Sequence, residues 1–147
     1  MLTVGTVVVG VNDMARAKAF WTAALGYVPR ELGDPSWVVL VPPTGTGSAV
    51  ALAMSETHVQ QHPRVHLDLY ADDQAAEVQR LIELGATRVA WDFYDEDSDF
   101  IVLADTEGNR FCVIDKSTPP TEARAAGDGR DTSLPWAQRG SGRSRFQ

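Results

Sequence analysis

Val65-His66-Leu67-Asp68-Leu69-Tyr70-Ala71-Asp72-Asp73 alternates apolar and polar side chains and ends in a helix N-cap signal. Sixty residues earlier, Gly5-Thr6-Val7-Val8-Val9-Gly10-Val11-Asn12-Asp13 is a β-branched run that ends the same way. A helix is predicted after each. Asp13 caps one whose apolar side is Ala17, Phe20, Trp21, Ala24 and Leu25. Asp73 caps one that buries Val78, Leu81, Ile82 and Leu84. Both stop at glycine, in Leu25-Gly26 and Leu84-Gly85, where a left-handed C′ residue is expected.

The second part of each half repeats as well. Trp37-Val38-Val39-Leu40-Val41, a Pro/Gly-rich turn and Ala49-Val50-Ala51-Leu52-Ala53 read as a hairpin. Phe100-Ile101-Val102-Leu103-Ala104, the turn Asp105-Thr106-Glu107-Gly108-Asn109 and Arg110-Phe111-Cys112-Val113-Ile114 read as its counterpart. Short extended pieces, Val28-Pro29-Arg30 and Thr87-Arg88-Val89-Ala90, lie between helix and hairpin. The expectation is an α+β domain over 1–116, made of two βαβββ modules at about 3–56 and 64–115. One half cannot close a core alone, so the sheets should pair within the chain or across a homodimer, forming a curved, partly open mixed β-sheet cleft.

Composition excludes several classes. The chain has 147 residues and one cysteine, Cys112, so neither an internal disulfide nor a Cys-based zinc cage can form. Its formal charge of −7 argues against nucleic acid as a partner. No run reaches the roughly 18–20 apolar residues of a membrane span. The opening residues lack the basic n-region of a signal peptide, so a cytoplasmic protein is expected. Residues 117–147 are rich in Pro, Gly, Ser, Thr and Arg and are expected to be a disordered tail, with Leu134-Pro135-Trp136 as its one candidate docking point.

These residues resemble the vicinal oxygen chelate superfamily of glyoxalases, bleomycin-resistance proteins and extradiol dioxygenases. The likeness rests on the strand into Val11-Asn12-Asp13, on Arg16-Ala17-Lys18-Ala19-Phe20-Trp21 and on Leu25-Gly26-Tyr27. In the second half it rests on His66-Leu67-Asp68-Leu69, Leu84-Gly85-Ala86 and Val102 through Phe111. The last stretch is similar to a frequent Asp-Pro-Glu-Gly-Asn turn of the family, with Thr106 replacing proline. The resemblance implies a glyoxalase-like domain, and in metal-using members a His on the first strand and a Glu on the last strand of each module. The repeat puts Thr6, Ala51, His66 and Cys112 at those four places, with Ala49 as the alternative to Ala51. One imidazole and one thiol are too few donors for a tight octahedral site. No cofactor is therefore expected, with a divalent ion as the alternative if the register differs and Glu56 restores a carboxylate.

Strand alternation places Arg64, His66, Asp68 and Tyr70 on one face, with His66 and Asp68 about 7 Å apart along the strand. Such a pair could serve as acid and base, with Tyr94 or Cys112 assisting. Trp37, Trp91, Phe93, Tyr94 and Phe100 suit a flat or apolar organic ligand in the cleft. The acidic run Asp92, Asp95, Glu96, Asp97 and Asp99 could attract a cationic one. Candidate catalytic residues are His66, Asp68 and Tyr94. Candidate ligand-binding residues are Thr6, Trp37, Ala51, His66, Tyr70, Phe100 and Cys112. The leading expectation is a metal-independent binder of a small organic molecule. The alternatives are a metal-independent lyase, isomerase, cyclase or hydrolase, and a metal-dependent glyoxalase or dioxygenase with misplaced ligands.

Overall fold

The computed structural model describes residues 1–117, so the expected tail, including Leu134-Pro135-Trp136, lies outside the described residues. The first module runs β1 (Thr6–Val11), α1 (Met14–Leu25), β2 (Val28–Pro29), β3 (Trp37–Val41) and β4 (Ala49–Met54). The second runs β5 (Asp68–Ala71), α2 (Gln74–Glu83), β6 (Thr87–Arg88), β7 (Phe100–Ala104) and β8 (Arg110–Asp115). Each module is βαβββ, and each forms an open four-stranded mixed sheet in the order β1-β4-β3-β2 or β5-β8-β7-β6. In both, the first strand runs parallel to the last and the others are antiparallel.

Local chemistry sets the helix ends as the sequence predicts. Asp13 accepts a hydrogen bond from the Arg16 N–H and Asp73 one from the Ala76 N–H, each at 3.0 Å. Gly26, at φ 65°, ends α1 in a conformation that costs a β-carbon-bearing residue energy. One boundary differs: the strand read from Val65 enters the ladder only at Asp68. Its partner β8 starts at Arg110, so Val65 would face the Asp105–Asn109 turn, where no ladder exists.

One core joins the modules. Val9, Val11, Val38, Leu40 and Leu52 of the first sheet meet Leu67, Ala71, Leu103, Phe111 and Val113 of the second around both helices. Phe20, Trp21 and Phe111 pack edge to face or tilted, with centroids 5.1 to 6.3 Å apart. The β7–β8 turn locks onto the first module. Buried Glu107 accepts from the Asn12 and Asp13 N–H groups and from both arms of Arg16. Asp105 accepts from the Trp21 indole, and Asn109 donates to the Gly10 carbonyl. Arg80 of α2 closes the contact by donating to the Ala23 and Ala24 carbonyls at the end of α1.

Candidate functional site

The first strands β1 and β5 are sheet edges, and a cavity of about 450 Å³ opens between β1 and the segment that leads into β5. Val7 to Gly10 form one wall and Val65 to Leu67 the other. The linker from Ser55 to Pro63 and the start of β8 complete it, with Trp21 and Phe111 at its base. The enclosure has a plain origin. The linker must carry the chain from the end of β4 to β5, and it crosses the gap between the sheet edges.

His66 lines this cavity, and its Nε2 lies 3.0 Å from Oδ1 of Asp68. The two side chains, expected to be separate neighbours along a strand, therefore touch. They are only 8% and 19% exposed, so their mutual field is little screened by water. Cys112 is paired across the sheet with Asp68, and its thiol completes a cluster whose donor atoms all lie within 4.8 Å of one another. Burial, the Asp68 charge and a hydrogen bond to Asp68 push that thiol up to about 12. Cys112 is thus a thiol rather than a thiolate near neutral pH, which removes it as a nucleophile.

The other candidates fall elsewhere. Thr6, Ala51 and Trp37 sit on the face of the first sheet turned away from α1, and none lines the cavity. Ala51 is fully buried, whereas Trp37 is 41% exposed. Tyr70 points to solvent under the Lys116 ammonium, 4.5 Å from the ring centroid. Phe100 is buried with Trp91, Val102, Cys112 and Ile114 in a second apolar cluster, against which Phe93 packs. Tyr94, expected to assist catalysis, has a structural task instead. Because β6 spans two residues and pairs only with Leu103 and Ala104, the Val102 N–H lacks a ladder partner and donates to the Tyr94 hydroxyl at 2.8 Å. Of the aromatic residues expected to line an open cleft, Trp91, Phe93 and Phe100 fill the face of their own sheet, whereas Trp37 and Tyr94 stay partly exposed. The five acids expected to form an acidic rim that attracts a cation do not border the cavity, and neither does Glu56.

The residues that sequence reasoning missed are Asn12, His58, Asn109 and Arg110, all of which line the cavity. Arg110 was recoverable. It is two residues before Cys112 on the same strand face, and a charge in an otherwise apolar strand calls for a reason. Register also decides between the two repeat alignments. Asp68 pairs with Cys112 as Val8 pairs with Ala51, so Ala51, not Ala49, corresponds to Cys112.

The donor set bears on the metal that the family resemblance implies. His66, Asp68 and Cys112 all come from the second module, while Thr6 and Ala51 bring neither imidazole nor carboxylate from the first. The two-module quartet of His and Glu ligands is therefore not assembled.

The family model of the glyoxalase-like domain matches residues 6–114, and the chain belongs to that family, within the vicinal oxygen chelate superfamily. Solved structures support the same fold. A glyoxalase/bleomycin resistance protein/dioxygenase family enzyme from Burkholderia phytofirmans PsJN is 18% identical, with a TM-score of 0.60 over 78% of this chain and 98% of that one. A glyoxalase-related enzyme from Fulvimarina pelagi is 13% identical, with a TM-score of 0.59 over 79% and 89%. A possible glyoxalase from Bacillus cereus is 15% identical, with a TM-score of 0.59 over 78% and 99%. At these identities the likeness speaks for the fold alone. No curated protein is similar enough in sequence to count as a relative. Among the described residues no helix is long and apolar enough to cross a membrane.

Proposed function

We propose that this glyoxalase-like protein binds a small organic molecule in the cavity between its modules, without a resident metal. The cavity itself carries the reading: about 450 Å³ lies between β1 and the segment entering β5, walled by valine, leucine and aromatic side chains on one hand and by eight polar or charged residues on the other. A thermal-shift screen of small apolar and aromatic compounds tests it, followed by mapping hits on backbone amide resonances. Binding should move residues 7–10, 65–67 and 109–111 and should be lost in V8W, which fills the cavity from an exposed wall position. Hits that move other regions and tolerate V8W would sink the reading. Titration with Mn, Fe, Co, Ni and Zn completes the test, with no stoichiometric metal bound tighter than about micromolar expected. Tighter binding would shift the lead to a metal-dependent lyase or dioxygenase.

A second reading is favoured by one contact, the 3.0 Å approach of His66 Nε2 to Asp68 Oδ1. A carboxylate in that place orients an imidazole, and an oriented imidazole lining the cavity can take a proton from a bound ligand and return it. The class would then be a metal-independent lyase or isomerase. H66A separates the two readings once a ligand is in hand. An enzyme loses turnover and keeps binding, whereas unchanged turnover removes His66 from the chemistry.

A further inference from the structure

The cavity has an electrostatic character opposite to that of the chain. The protein carries 20 acidic and 13 basic residues, yet no Asp or Glu lines the cavity, whose titratable side chains are Arg110, His58 and His66. Arg110 is half-buried, and among the described residues no carboxylate lies within 4.0 Å of it and its guanidinium donates no hydrogen bond. Two of the three cavity side-chain amides have their N–H groups engaged: Asn12 donates to the Ser55 carbonyl, and Asn109 donates to Gly10 and Asp105; the third, Gln60, accepts from the Arg64 N–H through Oε1. Arg110 lies in cation–π range of Trp91, its Cζ 5.8 Å from the ring centroid. Such a contact takes no hydrogen-bond acceptor, so the guanidinium N–H donors still lack one among the described residues.

We propose that the cavity takes a small organic anion, a carboxylate on an apolar or aromatic body, and that Arg110 anchors its charged end. This deepens the cavity reading above and rests on it. A half-buried cation without a counter-charge is costly, and a carboxylate relieves that cost through two parallel charge-assisted hydrogen bonds. Neutral ligands leave the cost in place, and cations add to it. The apolar walls at Val8, Val9, Val65, Leu67 and Phe111 receive the body of the molecule. His66 lines the same cavity as the anchor, on the segment that leads into the Asp68–Cys112 pairing. Asp68 is the carboxylate that would oppose an anion, but it is turned to His66 and does not line the cavity.

Three probes of one shape and different charge test the proposal on the full chain: phenylacetate, phenylacetamide and 2-phenylethylamine. Titration is followed by calorimetry and by the amide resonances of residues 7–10 and 65–67. Phenylacetate should bind at least about ten-fold tighter than the amide, with the amine weakest. R110Q should reduce phenylacetate to the affinity of the amide and leave the amide unchanged. R110K should keep part of the preference, because it supplies charge without the fork. Unfolding midpoints close to wild type show that the variants fold. Equal binding of acid and amide, or a preference that survives R110Q, overturns the anion assignment while the cavity reading stands. If none of the three moves the cavity resonances at roughly 10 mM, the cavity reading fails and takes the assignment with it.

Discussion

The two modules follow the same chain path, and the faces they turn away from their helices could hardly differ more. The positions of His66, Asp68, Arg110 and Cys112 in the second module are held in the first by Thr6, Val8, Ala49 and Ala51. One set brings an imidazole, a carboxylate, a guanidinium and a thiol. The other brings a hydroxyl and three apolar groups. The surroundings differ too. The loop 89–99 is longer than its counterpart 30–36 and carries Trp91, Phe93 and Tyr94, which seal the second sheet face. On the first face Val8 and Trp37 stay exposed. The two modules share a scaffold, while the ionisable side chains at these positions sit in one of them. The fold needs only alternation, caps and turns, whereas a site needs particular atoms at particular places.

The comparison would break most visibly at Phe111, the aromatic ring that both modules share. F111A should cost about 3–5 kcal/mol and still give a single unfolding transition in urea. Two separate transitions would mean that the modules are independent units and that the shared core is incidental. The β7–β8 turn, with its buried carboxylate on the first module, comes next. Burial works against ionising Glu107, but hydrogen bonds from Arg16, Asp13, Thr106 and Asn12 outweigh it and hold the carboxyl at about 2, against an ordinary 4.5. Its stabilisation is therefore complete above about pH 4.5 and drains away as pH falls toward 2. E107Q should cost about 2–3 kcal/mol at neutral pH and flatten stability against pH over that interval. Asp105, two residues away, behaves oppositely. Burial raises its pKa despite hydrogen bonds from Asn109 and Trp21, so its charge counts against stability at neutral pH and the cost is recovered on acidification.

Two smaller changes sharpen the contrast between the sheet faces. Y94F removes the acceptor of the Val102 N–H and should cost about 1 kcal/mol in chemical denaturation. A loss of ligand binding without loss of stability would return Tyr94 to the site. W37A, on the bare face, should change the stability of the single chain by no more than about 0.5 kcal/mol. A larger, concentration-dependent effect would show that a second copy covers that face.

The βαβββ repeat, both N-caps and both terminal glycines were legible in the linear order of residues, whereas the choice of Ala51 over Ala49 needed the sheet register. Period-two and helical alternation, short-range capping and left-handed backbone geometry are properties of neighbouring residues. The pairing of His66 with Asp68 was half legible: alternation put them on one face, and side-chain torsions brought them into contact. Tertiary structure alone decided the rest. The Tyr94 hydroxyl at the β7 edge, the loop 89–99 folded over Cys112 and Glu107 locked beneath α1 depend on long-range register. The cavity arises because the linker crosses between two sheet edges, bringing Val8, His58 and Arg110 to one space from distant parts of the chain. Sequence marks Arg110 only as a charge two residues before Cys112; the fold, which among the described residues keeps every carboxylate beyond 4.0 Å of it, makes it a cation facing the cavity.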